Sequence, residues 1–238
     1  MTLECATGAP CEPTGAQVTL DRRPHCQNWD FAHATEHPHI SRAPVRLVRM
    51  GLLAIIAGLL LTGCAGTVTP LDEATLEESR PAFLLDHGRH TTLVLTREDD
   101  SLIRYLYGEW RWYALEETGF IRGWSTLLWP TQGALGRREL TGPPAPQSIR
   151  QQIPVVIQTI HEIPVEAEQI NALDRRLEAR FDGAIETRHY NPVYDLEFVH
   201  DPRDYTLFYN SNHVVADWLR ELGLQVQGDP IWGVWRVD

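Results

Sequence analysis

The stretch YTLFYNSNH at residues 205–213 decides the fold, because it leads the chain from a β-type run into a helix. Its first five residues are mostly aromatic and apolar, which predicts a strand at 205–209. Apolar residues then recur at helical spacing and Gly223 follows, so we expect a helix at 211–222. A helix that begins directly after a strand presents free N–H groups at the junction and favours negative charge there. Ser211 is therefore a candidate nucleophile.

A second polar segment, DHGRHTT at residues 86–92, lies between two apolar runs that predict strands at 82–85 and 91–96. A histidine on a strand beside the helix start is the residue type that takes a proton from a serine hydroxyl. A histidine of this segment, His87 or His90, is therefore a candidate base. The two segments form a catalytic site only if the fold brings that histidine and Ser211 within hydrogen-bond distance.

The other elements of the C-terminal part are mainly strands. Strands outnumber helices and no internal repeat is present, which predicts an α+β domain. The remaining strands are predicted at 111–115, 138–140, 155–163 and 231–237, and the remaining helices at 119–128 and 167–181.

A basic cluster and a short apolar run precede this domain. The run GLLAIIAGLLL at 51–61 has no polar side chain and is shorter than the ~20 apolar residues that a spanning helix needs. A basic flank, an apolar core and small residues are typical of a secretory signal, predicted here at 50–63. LTGCA at 61–65 resembles the lipobox of bacterial lipoproteins, which implies diacylation of Cys64 and cleavage just before it. Buried acyl chains contribute roughly 0.8 kcal/mol per CH2, so we expect the chain to be held on a membrane. The basic flank consists of Arg42, Arg46 and Arg49.

Residues 1–49 do not resemble the short basic start of a secretory signal. Their cysteines lack the paired C-x2-C spacing of zinc sites, which disfavours a metal-binding arm. We expect an extension that is disordered, or that precedes a true start at Met50. The polar residues at 64–81 predict a lipidated tether to a domain at 82–238. Ala65 stands where an aspartate favours the inner membrane, so the outer membrane of the cell envelope is favoured, with the domain facing the periplasm.

Composition excludes several kinds of chemistry. The chain has no lysine, so its 21 basic residues are all arginine and Schiff-base catalysis is excluded. No cysteine follows Cys64, which removes disulfides and a thiol nucleophile from the domain. The formal net charge of -11 argues against nucleic acid as a partner, because phosphate binding needs clustered positive charge. No motif indicates a cofactor.

Four short segments occur in an order that resembles one protein family. They are Gly88-Arg89-His90-Thr91, the segment at 105–109, the junction at 205–214, and Trp232-Gly233-Val234. Together they resemble a family of uncharacterised bacterial envelope proteins whose fold is a circularly permuted papain-like, NlpC-related domain. The resemblance implies an antiparallel sheet packed with a few helices over 82–238. It also implies a hydrolase site in which the histidine precedes the nucleophile along the chain.

The resemblance implies roles for four residues. The family histidine corresponds to His90, a polar orienting residue to Glu109, and the family cysteine to Ser211. In that scheme Ser211 attacks, His90 takes its proton, and the amide N–H groups near Ser211 and Asn212 bind the oxyanion. A serine gains much less than a cysteine from a helix N-terminus, because the pKa of a hydroxyl is far higher than that of a thiol.

Two functions follow from the serine at this position. In the first, Ser211 is an N-cap whose oxygen accepts a backbone N–H, and the domain is a degenerate, inactive hydrolase that serves as a binding or scaffold module. In the alternative, Ser211 and His90 form a serine-dependent amidase, esterase or acyltransferase of the cell envelope. A cell-wall peptide or a lipid is the expected ligand in either case.

The histidines allow a third interpretation, a metal site. On a strand, residues three apart point to opposite faces, so His87 and His90 are not expected to bind one ion. We therefore predict no metal. The candidate ligands for this interpretation are Asp86, His87 and His90, with His200 or His213.

Overall fold

The computed structural model describes residues 65–117 and 129–238, together with Gly51. The predicted extension at 1–49, the rest of the signal peptide, Cys64 and the helix predicted at 119–128 lie outside the described residues. The described part is an α+β protein with a seven-stranded antiparallel sheet, a small three-stranded mixed sheet and four α-helices, which confirms the predicted class. None of the described helices is long and apolar enough to cross a membrane.

Ten strands form the two sheets of the described part. The large sheet has the order β6-β2-β3-β4-β5-β8-β7, and each pair of neighbours is antiparallel, with strands defined as follows. They are β1 (Ala65–Thr69), β2 (Ser79–Asp86), β3 (Thr91–Thr96), β4 (Leu102–Glu109), β5 (Thr131–Leu140), β6 (Thr159–Glu166), β7 (His189–Asn191), β8 (Leu196–Tyr205), β9 (Gln225–Gln227) and β10 (Val234–Val237).

The helices are α1 (Trp110–Tyr113), α2 (Pro146–Gln152), α3 (Ala167–Asp182) and α4 (Ser211–Glu221). Alternate residues of each strand point to opposite sides of the large sheet. On one side, which we name the α3–α4 face, Leu93 and Tyr105 join α3 and α4 in the main core. On the other side, the α1–α2 face, Val94 packs with α2 and Leu106 packs with α1. The two faces place side chains of neighbouring residues in different surroundings.

The small sheet begins at Ala65, the residue after Cys64. β1 is its central strand, parallel to β10 and antiparallel to β9, and Val68 is fully buried in the main core. The tether predicted at 64–81 is therefore wrong for its first residues, which form a core strand. Glycine is present at 66 because the Trp235 ring covers it: an added Cβ would lie 2.7 Å from that ring. The small residues at this position suggest a tether from the sequence, but in the structure Gly66 leaves space for the indole ring of Trp235.

Predictions that rest on a clear apolar period are confirmed. The strands predicted at 82–85 and 91–96 lie within β2 and β3. The helices predicted at 167–181 and 211–222 correspond to α3 and α4, and Gly223 follows α4 with a φ of 85°. That left-handed conformation is the usual way in which a glycine ends a helix.

Two predicted strands are wrong. In place of the strand predicted at 111–115, the chain forms α1, which ends at Tyr113, because the Glu109 carboxylate accepts the N–H of Trp112 at 2.6 Å and caps a helix. At 205–209 only Tyr205 belongs to a strand, and the next four residues form a turn. An aromatic run predicts a strand from composition, whereas local hydrogen bonds end the strand here.

Other strands differ from prediction in their bounds. The strand predicted at 138–140 is the end of β5, and those predicted at 155–163 and 231–237 begin only at Thr159 and Val234. β4 and most of β8 are not predicted, because charged side chains interrupt their apolar pattern. One of those charged side chains lies in the candidate site described next.

Candidate functional site

The start of α4 is capped by Asn210 and not by Ser211. Asn210 has an extended backbone, and its Oδ1 accepts the N–H groups of Asn212 at 2.9 Å and His213 at 3.4 Å. The Asn210 N–H in turn donates to Nδ1 of His213 at 3.3 Å, which completes a capping box. The predicted N-cap role of Ser211 is wrong, because asparagine caps as well as serine does and comes one residue earlier. Ser211 is the first residue of the helix and is nearly fully buried.

The side chain of Asn212 connects residues in or next to three of the four segments on which the resemblance rests. Its Oδ1 accepts the Thr91 hydroxyl at 2.9 Å, and its Nδ2 donates to the carbonyls of Arg89 at 3.3 Å and Ile231 at 3.4 Å. The indole N–H of Trp235 donates to the same Thr91 oxygen at 2.7 Å. We name these five residues the Asn212 network. It ties the start of β3, the start of α4 and the loop before β10 to one another.

Gly233 permits the close approach within this network. Its φ is 72°, and an added Cβ would lie 3.2 Å from both the carbonyl carbon of Arg89 and Oδ1 of Asn212. A larger residue is excluded by this contact and by the left-handed backbone. The segments at 88–91, 211–214 and 232–234 therefore lie side by side, although they are far apart in sequence.

The ring of His90 lies among aromatic side chains of the α1–α2 face. It stacks on His87, with ring centroids 4.6 Å apart and an interplanar angle of 8°. It meets the rings of Tyr113 and Tyr194 edge-on at 5.5 and 6.4 Å. Tyr113 and Tyr194 pack with Leu106 in the apolar layer of that face. Nε2 of His90 is buried and has no hydrogen-bond partner in the part of the chain that the structure describes.

Thr91, the next residue, points the other way. Its hydroxyl reaches Asn212 of α4, as expected for neighbouring residues at the start of a strand. The side chain that faces the start of α4 is thus that of Thr91, whereas the ring of His90 lies on the α1–α2 face. No hydrogen bond joins His90 to Ser211 within the described residues.

Glu109 is buried at the end of β4, where it caps α1 through its bond to the N–H of Trp112. Burial and the nearby Glu109 raise the pKa of Tyr205 to about 12, and Tyr205 packs against the main core of the α3–α4 face. Among the described residues no hydrogen bond links Glu109 to His90. The structure brings the segments of Ser211, His90 and Glu109 to one end of the sheet but does not connect the three side chains.

Arg104 is a fully buried guanidinium in β4, on the α1–α2 face. Its Nε contacts Oγ1 of Thr92 at 3.5 Å, and its Nη1 donates to the carbonyl of Tyr194 at 3.2 Å. Nη2 is buried and has no partner among the described residues. Burial lowers the pKa of Arg104 to about 9, with a further lowering from Arg138 and an opposing effect of Asp195. The side chain is still a cation at pH 7.

His87 links Arg104 to His90. A carbonyl only accepts, so Nδ1 of His87 donates to the carbonyl of Val156 at 2.8 Å, and Nε2 accepts the hydroxyl of Thr92 at 3.1 Å. Burial and then Arg104 lower the pKa of His87 to about 4, against the hydrogen bond to Val156. Burial, His87 and Arg104 hold the pKa of His90 well below 6.5. Both imidazoles are therefore neutral at pH 7. We name the following residues the Arg104 cluster: His87, His90, Arg104, Tyr113 and Tyr194.

The side chains considered for a metal site are engaged elsewhere. Oδ1 of Asp86 accepts a backbone N–H two residues on, at 2.6 Å. The ring of His200 packs edge-on against Trp110 at 4.2 Å, and Nε2 of His213 lies 2.8 Å from Asp229. Across residues 65–117 and 129–238, no group of three or more His, Cys, Asp and Glu side chains is placed to hold a metal ion.

Sequence reasoning does not identify Arg104 as a residue of this region, and it gives no role to Thr91 or Asn210, although both lie in the segments that it singles out. One signal was present for Arg104, which is the only charged residue in the apolar run LIRYLY at 102–107. A charge at a position that alternation predicts to be buried is expensive unless it has a partner or a function.

The chain was compared with protein-family models, with curated proteins and with solved structures, and no match was found. Function is therefore inferred from the residues and their geometry.

Proposed function

We propose that this chain is a lipid-anchored protein of the bacterial cell envelope whose papain-like, NlpC-related domain binds a ligand and does not hydrolyse it. The observation that carries the proposal is the lack of a hydrogen bond between His90 and Ser211. In this proposal the domain is a degenerate hydrolase that serves as a binding or scaffold module. Cys64 carries the lipid, and the domain faces the periplasm, with the outer membrane favoured.

The position of His90 disfavours a catalytic serine. A serine hydroxyl is activated by a base that lies within about 2.6–3.2 Å of its oxygen. To reach Ser211, the His90 ring must leave its stack on His87 and turn towards the α4 side of β3. The side chain of Thr91 occupies that side and is held by hydrogen bonds to Asn212 and Trp235. A catalytic arrangement thus requires movement of the His90 ring away from its aromatic neighbours.

The Arg104 cluster supports binding, because it contains polar atoms that no described residue satisfies. Nη2 of Arg104 is a buried donor on a cation, and the neutral ring of His90 has a buried Nε2 without a partner. Such groups are costly to bury alone, and they are satisfied by an acceptor from a ligand or by ordered water. Carboxylates and phosphates bond strongly to guanidinium groups. Cell-wall peptides carry the first group and envelope lipids carry the second.

The test is labelling of the chain, purified from membranes, with a fluorophosphonate probe that reacts with activated serines. We expect no labelling of the unaltered chain or of Ser211→Ala, with circular dichroism showing that both are folded. Ser211→Ala is the matched control because it removes only the hydroxyl.

Labelling that is lost in both Ser211→Ala and His90→Ala would overturn the proposal. It would establish the alternative, an envelope amidase, esterase or acyltransferase that uses Ser211 and His90. Labelling of equal extent in the unaltered chain and in Ser211→Ala would contradict the expected absence of labelling and place the reactive residue elsewhere than Ser211.

A further inference from the structure

The folded domain begins directly after the residue proposed to carry lipid. Ala65 is the first residue of β1 and pairs with Val234 of β10. Consecutive Cα atoms are about 3.8 Å apart, so the first residue of β1 lies about 3.8 Å from the residue that is proposed to carry lipid. No flexible spacer separates the two. The surface around Ala65 is therefore held close to the bilayer whenever the lipid is inserted.

Three large apolar side chains are exposed at this end of the domain. Phe208 is 77% exposed, Trp232 is 55% exposed and Val234 is 48% exposed. Val234 is the strand partner of Ala65, and Trp232 precedes it by two residues. Isolated exposed apolar residues are common on protein surfaces, but a group of them next to a lipid attachment point is not expected by chance.

The turn that carries Phe208 is fixed beside the Trp232 segment. Nδ2 of Asn210 donates to the carbonyl of Leu207 at 3.3 Å and to the carbonyl of Ile231 at 3.1 Å. The side-chain amide of Asn210 thus binds the residue before Phe208 and the residue before Trp232. We name Phe208, Trp232 and Val234 the apolar rim.

The charges near the apolar rim suit a lipid surface. The backbone of Arg89 touches Gly233, and Arg89 is exposed, with no ion pair among the described residues. Arg236 is exposed two residues after Val234. The nearby Asp229 carboxylate lies 2.8 Å from Nε2 of His213. Basic side chains at a membrane surface attract anionic lipid headgroups, and aromatic side chains are favoured at the interface.

We propose that the apolar rim docks on the lipid bilayer and holds the domain in one orientation, with the start of α4 turned towards the membrane. This inference rests on the proposed lipid at Cys64. Acyl chains hold the protein on the membrane, and the apolar rim fixes how the domain lies on it. Partial insertion of Phe208 and Trp232 removes apolar surface from water, which contributes about 25 cal/mol per Å².

Site-specific labelling tests this orientation. Residues 65–238 contain no cysteine, and lipid consumes the thiol of Cys64, so an introduced cysteine is the only free thiol of the processed chain. Phe208→Cys and Trp232→Cys are labelled with the environment-sensitive dye NBD. Asp99→Cys is the control, because Asp99 lies in the exposed turn after β3, at the opposite end of that strand from Thr91. Each protein is reconstituted in vesicles of phosphatidylethanolamine and phosphatidylglycerol, with and without doxyl-labelled lipid.

We expect NBD at positions 208 and 232 to shift its emission to the blue and to be quenched by doxyl lipid, whereas NBD at position 99 stays solvent-like. Radioactive palmitate incorporation is measured in parallel on the unaltered chain and on Cys64→Ala. Palmitate incorporation together with solvent-like emission at all three positions would overturn the docking and leave the lipid anchor standing. Absence of palmitate incorporation would overturn the anchor and the docking together.

Discussion

Replacing Asn212 by alanine tests the network that separates His90 from Ser211. Asn212→Ala removes three side-chain hydrogen bonds, to Thr91 and to the carbonyls of Arg89 and Ile231. Each such bond contributes about 1 kcal/mol net, so we expect a loss of about 3 kcal/mol in the free energy of unfolding. The loss is not larger, because Thr91 keeps its bond to Trp235 and Ile231 keeps a second amide donor. In a domain of this size that corresponds to a fall in Tm of about 6–12 °C.

The assay is urea unfolding followed by circular dichroism, with the midpoint compared at equal m-value. Asn171→Ala is the matched control. Asn171 is half-buried on α3, and its side chain bonds to Arg80 at 3.3 Å and to Glu98 at 2.7 Å near the surface. We expect this control to lose less than about 1 kcal/mol. If Asn212→Ala costs no more than Asn171→Ala, the Asn212 network does not hold these segments together.

Three further predictions concern Ser211, His87 and Arg104. Ser211→Cys places a buried thiol at this position, and we expect its rate of alkylation by iodoacetamide at pH 7 to be the same with and without His90→Ala. A fall in that rate of about tenfold or more on His90→Ala would show that His90 activates this position. Acid destabilises the chain because His87 has a pKa of about 4 when folded and 6.5 as a free side chain. Its contribution is complete above pH 6.5 and is lost as the pH falls towards 4, by up to roughly 3 kcal/mol. Urea unfolding at pH 7 and pH 4.5 should show a smaller pH dependence in His87→Gln than in the unaltered chain, and an equal dependence would contradict the neutral state of this ring. Arg104→Met removes a buried cation but also leaves the Tyr194 carbonyl without this donor, so the two effects oppose each other and we expect the free energy of unfolding to change by no more than about 2 kcal/mol. It should also abolish any rise in Tm that a muramyl peptide or inorganic phosphate gives the unaltered chain, and a rise that survives in Arg104→Met would place the ligand elsewhere.

Two of the four described helices, α3 and α4, could be predicted from the sequence because each depends on a local apolar pattern, whereas the sequence predicts a strand in place of α1 and does not predict α2. In α4 the apolar residues Val214, Trp218 and Leu222 repeat at helical spacing and Gly223 ends the run. The strand at Ala65–Thr69 could not be predicted in this way. Its residues are small and polar, and it forms because Val68 enters the core and Trp235 covers Gly66, which are contacts made by distant parts of the chain.

The candidate site could be predicted as a meeting of segments but not as a set of contacts. The resemblance implies that the segments of His90 and Ser211 come together, and the structure places both beside the Trp232 segment through Asn212 and Gly233. Which side chain faces α4 depends on the register at the start of β3. A shift of one residue exchanges the faces of every side chain in a strand, and neither composition nor order fixes that register.

The separation of His90 from Ser211 in a high-resolution crystal structure of the processed chain is the most direct test of a non-catalytic role. We predict that the His90 ring stacks on His87 and that both of its ring nitrogens lie beyond hydrogen-bond distance from Oγ of Ser211. A ring nitrogen within about 2.6–3.2 Å of that oxygen would contradict this role and identify a serine–histidine pair poised for hydrolysis.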